Sequence, residues 1–365
     1  MSNINNRIYS LDVLRGLALA AMLLVNNPGS WSRVFAPLLH ADWHGLTPTD
    51  LVFPFFLFVV GAAMAYSLRT QITQAGMPWV SVLKRGFLLI GIGVLLQAIP
   101  FDQSLENWRI LGVLQRIGIC FIAVAIIIYA VPENALVYVC GAVLLFYWFI
   151  MINFSDDPYS LTENVIRHVD IAVLGANHMW QGKGIPFDPE GLLSTLPSCI
   201  TVLSGYIIAL KLKHLSSTNQ RLKFLMLAST VLLALGLLWS FWHPINKSLW
   251  TGSFVLVTSA IACYCLAVIS LLWDKLNIKI GLEALRVYGS NSIFIYVSAW
   301  FLAALLGRIT FTIGNSESSI KQFLYGQLQM MMPDKWASFI YAFLFAASFY
   351  VIALMLYKKR VFIKL

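Results

Sequence analysis

Two histidines and two aspartates stand close together at the start of an apolar run, in the stretch HADWHGLTPTDLVFPFFLFVVG, residues 40–61. His40 and His44 change charge near neutral pH, so either could take a proton from an ammonium group or pass on an acyl group. Asp50 could orient such a histidine, or it could simply favour the N-terminus of the helix that follows. Polar groups are costly to dehydrate beside hydrocarbon, which favours a reactive site over chance placement.

A metal site at these histidines is the less favoured interpretation. Their four-residue spacing would suit a helix, but Gly45 and Pro48 follow closely and favour a loop. The five cysteines all fall in apolar segments, where they read as buried hydrophobic residues. We therefore expect no metal and no disulfide framework.

The elements that must position these side chains are membrane-spanning helices. The 365 residues are 59% hydrophobic and 11% charged, whereas soluble chains carry roughly 25% charged residues. Ten apolar runs are long enough to span a bilayer: 9–27, 48–68, 80–98, 111–131, 135–154, 191–210, 224–242, 251–273, 290–307 and 336–357. The expected fold is an all-α polytopic membrane protein, a bundle of about ten transmembrane helices forming a single domain over residues 1–365.

Charge fixes the expected orientation of the bundle. Sixteen of the 25 basic residues fall on the segments that share a side with both termini, which predicts cytoplasmic termini. This bias also explains the net charge of +9 without invoking nucleic acid. Five of the six histidines and most acidic residues fall on the other face. There the outer loop 155–190 is long, polar and rich in turn residues, and is expected to act as a lid.

Other polar residues have a functional and a structural interpretation, and the sequence leaves both open. Arg15 could meet a ligand phosphate or pair with Asp12 three residues before it. Asn26 could present its amide to a reacting carbonyl or close the first helix before Pro28. Arg116 lies inside the fourth helix, where it could stabilise the bundle or meet a substrate.

Several motifs together resemble the heparan-α-glucosaminide N-acetyltransferase family, in particular its bacterial NagX-like branch. The resemblance runs through nearly all ten helices, in the motifs SLDVLRG, VNNPG, HADWHGLTPTDLVFPFF, GVLQRIG, DPEGLLST, PINKSLWTGSF and GSNSIFIYV. It implies an enzyme that takes acetyl-CoA from the cytoplasmic side and acetylates the amine of a glucosamine or related amino sugar on the far side. It also implies that His40 is the catalytic histidine, that Asn26 lies near the acetyl group, and that Asp50 is the aspartate of the second helix.

A mechanism follows if the donor lies lengthwise in the bundle. Acetyl-CoA phosphates cannot shed their water in lipid, so we expect them to contact basic residues on the inner side: Arg15, Lys84, Arg85, Lys211 and Arg286. His40 would be the general base supported by Asp50, with Asn26 donating to the oxyanion. Direct transfer is expected first and an acetyl-histidine second. The sugar is expected to contact Asp42, Trp43, Asp188, Glu190, Asn246, Lys247, Trp250 and Asn291.

Two other functions remain open. One is an amino-sugar transporter, although no inverted repeat of the kind common in transporters is visible. The other is an acyltransferase that acts on a different hydroxyl or amine. The expected location is the bacterial inner membrane, with multiple passes through the bilayer, an amino sugar and acetyl-CoA as partners, no nucleic acid, and a homodimer left open.

Overall fold

The computed structural model of the chain describes residues 9–99, 104–313 and 316–363. Within these ranges the regular structure consists of thirteen α-helices and one antiparallel two-stranded hairpin. The helices are α1 (Tyr9–Asn26), α2 (Val52–Ala75), α3 (Trp79–Ala98), α4 (Val113–Ala130), α5 (Leu136–Asn153), α6 (Val165–Leu174), α7 (Thr195–His214), α8 (Thr218–Trp239), α9 (Gly252–Ser270), α10 (Leu282–Gly289), α11 (Ser292–Arg308), α12 (Ile320–Gln329) and α13 (Asp334–Lys358). The strands are β1 (Thr310–Ile313) and β2 (Ser316–Ser319).

The all-α polytopic fold is confirmed. Nine helical segments of the described chain are long and apolar enough to cross a membrane, and the bent pair α10 and α11 makes a tenth if it counts as one span. The two helices of that pair meet at 82°. The predicted run 290–307 therefore corresponds to α11, but α10 precedes it as a separate short helix that packs against α1. The predicted run from 191 becomes helical only at Thr195.

Both ends of the described chain lie at one end of the bundle. The guanidinium of Arg286 lies 5.3 Å from the ring centre of Tyr9 in the first helix and 5.4 Å from that of Tyr357 in the last. We call this the terminal end, and we call the end at which α1 finishes and α2 begins the opposite end. Placing both chain ends together agrees with an even number of crossings, while the cytoplasmic location of the termini stays a prediction.

Close packing of α2 against α7 fixes the helix that follows Asp50. A Cβ atom on Gly61 would lie 1.7 Å from the carbonyl oxygen of Val202, and one on Gly205 would lie 1.9 Å from that of Phe58. No side chain fits at either position, so the two backbones touch, as at other small-residue contacts between membrane helices. The start of α2 is thereby held rigidly against the bundle.

Candidate active site

Asp50 is held in a tight turn that leads into α2. The 3₁₀ turn Pro48–Leu51 directly precedes Val52, with Thr47 at its N-cap position. The Oδ2 atom of Asp50 accepts hydrogen bonds from the backbone N–H groups of Thr47 at 3.0 Å and Ala41 at 3.1 Å. Because the side chain is only 1% exposed, these donors stabilise a buried anion. One carboxylate oxygen is thus used to cap the turn.

The other oxygen of Asp50 faces His40. The Nδ1 atom of His40 lies 2.8 Å from Asp50 Oδ1. A carboxylate only accepts hydrogen bonds, so Nδ1 must carry the hydrogen and donate it, which leaves Nε2 as the unprotonated nitrogen of the neutral ring. The His40 side chain is 47% exposed. An accessible Nε2 on a ring that is fixed through Nδ1 is the arrangement of a general base.

A second loop, between α8 and α9, brings a cation to this pair. The Nζ atom of Lys247 lies 3.0 Å from His40 Nδ1, 3.4 Å from His40 Nε2 and 3.6 Å from Asp50 Oδ1. The two loops are joined through their backbones, since the N–H of Gly45 donates to the carbonyl of Ile245 at 2.8 Å. Lys247, which we predicted to bind the sugar, therefore lies directly beside the histidine.

Asn246 holds this second loop in place, and its role as a sugar ligand stays a prediction. It is fully buried. Its Oδ1 accepts from the backbone N–H of Leu249 at 2.8 Å, and its Nδ2 lies 3.3 Å from His44 Nδ1. Partial burial lowers the pKa of His44, against an opposing effect of Asp157, so the neutral ring can accept from the amide. Asn246 thereby positions the residues on either side of it.

Trp250 is buried beneath the loop, and its stacking on a sugar ring stays a prediction. Its side chain is 1% exposed, and the guanidinium of Arg116 lies 5.1 Å from its ring centre. Its Nε1 donates to the hydroxyl of Thr201 at 3.1 Å. Trp250 has a left-handed φ of 50°, which costs a residue with a side chain roughly 1–3 kcal/mol. The buried ring holds the backbone in this turn, and Lys247 emerges from it.

Asp188 and Glu190 are already paired with a cation that the sequence did not reveal. Arg109 donates to both oxygens of Asp188, at 2.9 and 2.6 Å, and to Glu190 Oε2 at 2.6 Å. Asp188 is fully buried, and its contact with the sugar stays a prediction. Although burial alone would raise it, the charges of Arg109 and Arg116 lower the pKa of Glu190. Glu190 also lies within electrostatic reach of Lys247.

Asp42 and Trp43 lie at the mouth of the site, next to the outer loop 155–190. The Nε1 of Trp43 donates to the carbonyl of Tyr159 at 2.6 Å, and its ring packs edge-on against Phe187. Lys183 donates from Nζ to the backbone carbonyl of Asp42 at 2.5 Å. The outer loop is thus in direct contact with the segment that carries His40, while its action as a lid stays a prediction.

Asn26 is the last residue of α1 and lies at the same end of the bundle. Helix α1 contacts the 3₁₀ turn that carries Asp50. The neighbouring Asn27 closes the helix, since its Nδ2 donates to the carbonyl of Leu23 at 2.8 Å. Asn26 is exposed. Of the two asparagines, Asn27 therefore takes the structural role, while the contact of Asn26 with the reacting carbonyl stays a prediction.

Comparison with known proteins finds similarity to one family. The family model described as "Heparan-alpha-glucosaminide N-acetyltransferase, catalytic" matches residues 7–179. Heparan-alpha-glucosaminide N-acetyltransferase of Mus musculus is 28% identical over 356 residues, which cover 80% of this chain and 53% of that protein. The Homo sapiens protein of the same name is 27% identical over 363 residues, which cover 81% of this chain and 53% of that protein.

The chain is thus similar to the heparan-alpha-glucosaminide N-acetyltransferase family. It spans about half the length of the curated relatives that it matches. The residues Asn26, His40 and Asp50 fall within the matched range 7–179, whereas Lys247 and its loop fall outside it. The predicted resemblance to the family is therefore confirmed, while the bacterial branch within it stays a prediction.

The basic residues that we predicted for the donor phosphates lie at the terminal end. Arg15 pairs with Asp12 at 3.2 Å. It also lies close enough to Arg85 for the two cations to repel each other. Lys84 and Lys211 are exposed on the same end. Two neighbouring arginines are the arrangement that a multivalent anion stabilises.

Arg286 is less available to such an anion than predicted. Its guanidinium pairs with Glu283 and donates to the hydroxyl of Tyr357 at 2.5 Å. It also lies against the rings of Tyr9 and Trp273. These contacts tie the first helix to the last, so a structural role is already evident for this residue.

Asn291 also lies at the terminal end, and its contact with the sugar stays a prediction. Its Nδ2 donates to the carbonyl of Val361 at 3.1 Å, and its Oδ1 accepts from the N–H of Ile363 at 2.7 Å. It therefore holds the segment after α13 in place. The distance along the bundle separates it from the histidine.

Metal ligation finds no support in the described part of the chain. No group of three or more His, Cys, Asp or Glu side chains is arranged there to hold a metal ion. The five cysteines are free thiols.

Sequence reasoning missed two buried groups beside the site, His243 and Asp170. Both ring nitrogens of the fully buried His243 are used: Gly252 N–H donates to Nε2 at 2.8 Å, and Nδ1 donates to the Tyr159 hydroxyl at 2.9 Å. Burial lowers the pKa of His243 to about 3, so this neutral ring braces the outer loop against α9. Its partners are distant in sequence, so no local pattern indicated this role.

Asp170 in α6 makes a contribution to the stability of the fold that depends on pH. Its Oδ1 accepts from the backbone N–H of Leu192 at 2.8 Å, while burial raises its pKa from 3.8 to about 6. The folded state then binds the extra proton between these values, so the contribution of Asp170 to stability falls as pH rises from about 4 to about 6.

We expect the variant Asp170→Asn to lack this pH dependence. As the pH rises from about 4 to about 6, the unfolding free energy of the wild type should fall by about 1–3 kcal/mol relative to that of the variant. One pKa unit corresponds to about 1.4 kcal/mol. Thermal unfolding in detergent at pH 4, 5, 6 and 7 measures it. Parallel curves for the two proteins would show that the carboxyl is already ionised at pH 4.

Proposed function

We propose that the chain is a transmembrane N-acetyltransferase that moves acetyl from acetyl-CoA to the amine of glucosamine or a related amino sugar. The observation that carries the proposal is the His40–Asp50 pair, with Nδ1 donating at 2.8 Å and Nε2 accessible, in a chain similar to this family. The donor enters at the terminal end, and the sugar meets it at the opposite end, on the periplasmic face of a bacterial inner membrane.

The residues of the terminal end fit a nucleotide that carries phosphates. Arg15 and Arg85 supply two neighbouring cations, and the exposed Lys84 and Lys211 supply two more. Arg15 retains Asp12 as a partner when no anion is bound. In this proposal Arg286 contributes mainly to the packing of the helices around the entrance.

The interior of the bundle fits an amide-bearing arm. Buried polar atoms without a partner in the described residues include Oε1 of Gln97, Oε1 of Gln115, Nε and Nη1 of Arg116, and the hydroxyl of Tyr206. Such groups are costly in an apolar interior unless a ligand or water satisfies them. The pantetheine arm of acetyl-CoA carries amide groups of both kinds, donors and acceptors, which supports its passage between these side chains.

His40 acts on the amine at the opposite end. Its Nε2 takes a proton from the sugar ammonium, and the free amine attacks the thioester carbonyl. Asp50 keeps the ring in the reactive tautomer and stabilises the imidazolium that forms. Asn26 donates to the oxyanion of the tetrahedral intermediate that this attack forms. As the intermediate collapses, the carbon–sulfur bond breaks, His40 gives its proton to the departing thiolate, and the nitrogen releases its second proton to water. Holding both substrates at one imidazole is catalysis by positioning.

The sugar is held by the residues that remain open at the mouth. The exposed carboxylate of Asp42 can bind the ammonium or hydroxyl groups, and Trp43 offers an aromatic face beside it. Glu190 lies deeper, near Lys247.

Reconstitution in lipid vesicles tests the proposal. Oriented protein receives labelled acetyl-CoA on the face of the terminal end and glucosamine on the other face, and the labelled N-acetyl product is measured. We expect the product only with this arrangement of the two substrates. Uptake of unmodified glucosamine without product would instead indicate a transporter, and transfer to a hydroxyl or to another amine in a panel of acceptors would revise the substrate.

A further inference from the structure

Lys247 lies among charges that come from several elements. Its side chain is 19% exposed and faces His40 from the first loop and Asp50 from the turn before α2. Glu190 and Lys183 lie within electrostatic reach of it from the outer loop side. Burial lowers the pKa of Lys247, while the carboxylates of Asp50 and Glu190 oppose this effect. An ammonium retained here is therefore held by two carboxylates.

The hydrogen bonds available to the nitrogens of His40 determine how the ammonium of Lys247 acts on the ring. Nδ1 of His40 has one hydrogen, and it is directed to Asp50 at 2.8 Å, so Nδ1 has no lone pair left for Lys247 at 3.0 Å. The contact of Lys247 with Nδ1 is consequently one of charge, whereas Nε2, 3.4 Å from Nζ, has the lone pair that can accept from the ammonium while the ring is neutral. A cation at this distance disfavours the imidazolium, whereas the carboxylate of Asp50 favours it. The two effects oppose each other at one ring.

The opposing effects of Lys247 and Asp50 matter because His40, as a base, must give up the proton that it accepts. With Asp50 alone, a proton on Nε2 would be strongly held and His40 could not accept one from the sugar ammonium. The ammonium of Lys247 opposes this effect of Asp50, so an imidazolium formed in the reaction passes its proton more readily to the departing thiolate. Lys247 can do this only from a fixed position.

The loop supplies that fixed position. Asn246 accepts from Leu249 N–H, and its own N–H donates to the hydroxyl of Thr251 at 3.1 Å. Trp250 is locked under the loop by the guanidinium of Arg116. Resting on the proposed function, we propose that Lys247 is a positioning residue whose ammonium keeps His40 unprotonated and aligned with Asp50, and that it is not a ligand of the sugar.

The pH dependence of turnover tests this role with the variants Lys247→Met and Lys247→Arg. Methionine keeps the apolar stem and removes the charge, so the acid limb of the kcat profile should move to higher pH by about one unit. On the acid side this makes the rate about tenfold lower than in the wild type. Arginine keeps the charge, so its acid limb should stay close to the wild-type position. The KM for glucosamine should change little in either variant.

The control is Lys335→Met, which removes an exposed lysine at the same end of the bundle and should leave the profile unchanged. A raised KM for glucosamine with an unmoved pH profile in Lys247→Met would overturn the inference and make Lys247 a sugar ligand. A rate that is lower at every pH in both Lys247→Met and Lys247→Arg, with no shift of the acid limb in either, would also overturn the inference. In each case the proposed function stands if the wild-type protein turns over and its turnover depends on His40. If there is no such turnover, the proposed function itself fails.

Discussion

Replacing His40 by alanine is expected to lower the rate of acetyl transfer to glucosamine by about a hundredfold to ten-thousandfold, the usual contribution of a positioned general base. The ring is the group whose unprotonated Nε2 is both accessible and oriented through Nδ1. Binding of the donor should persist, because the basic residues proposed for its phosphates lie at the terminal end. Turnover with labelled acetyl-CoA, together with a CoA-binding measurement on the same preparation, separates the two effects.

A matched control and a rescue make this result specific. His168→Ala removes an exposed histidine of α6 and should leave turnover unchanged. Added imidazole should restore part of the rate of His40→Ala, since it supplies the missing base in the space that the ring occupied. Equal turnover in His40→Ala and wild type would remove His40 from the mechanism.

The spans were predictable because dehydration is a local property of the chain. Each apolar run must avoid water wherever it lies, so its length and composition alone indicate a crossing. The bend between α10 and α11 was not predictable in this way, since both pieces are apolar enough and only their packing against α1 separates them. The start of α7 was placed too early because residues 191–194 are apolar or small but are held in turns by contacts with Asp170 and Arg116.

Within the site, local partners were predicted and distant ones were not. His40 and Asp50 are ten residues apart, close enough for one stretch of sequence to indicate both. Lys247 lies 207 residues from His40, and Arg109 lies 79 residues from Asp188. No spacing rule joins residues at such separations. Only the folded bundle decides which charges meet.

Several residues that we predicted to contact the sugar make contacts inside the bundle instead, for a common physical reason. Trp250, Asn246 and Asn291 are the residue types that bind sugars, but they are also the types that fill cores and satisfy backbone groups. Sequence pattern cannot distinguish a buried tryptophan under an arginine from an exposed one over a sugar. Burial distinguishes them at once, since Trp250 is 1% exposed.

The variant Asp50→Asn is expected to lower the acetyl-transfer rate by about a hundredfold to ten-thousandfold while leaving the fold nearly intact. The backbone N–H groups of Thr47 and Ala41 require an acceptor opposite them. The amide oxygen of asparagine must face these donors, so its NH₂ group faces His40. That group would donate to Nδ1 and move the ring hydrogen to Nε2, which can then no longer accept a proton.

This substitution separates the two roles that the sequence left equally open for Asp50. A residue that merely caps the turn would keep full activity as asparagine, because asparagine caps as well as aspartate. We therefore expect an unfolding free energy within about 1 kcal/mol of the wild type, measured beside a large loss of kcat. Asp156→Asn, at an exposed position of the outer loop, controls for loss of negative charge at this end. Unchanged turnover in Asp50→Asn would mean that the tautomer of His40 is set by another group, and the pair would then be a cap that happens to touch a histidine.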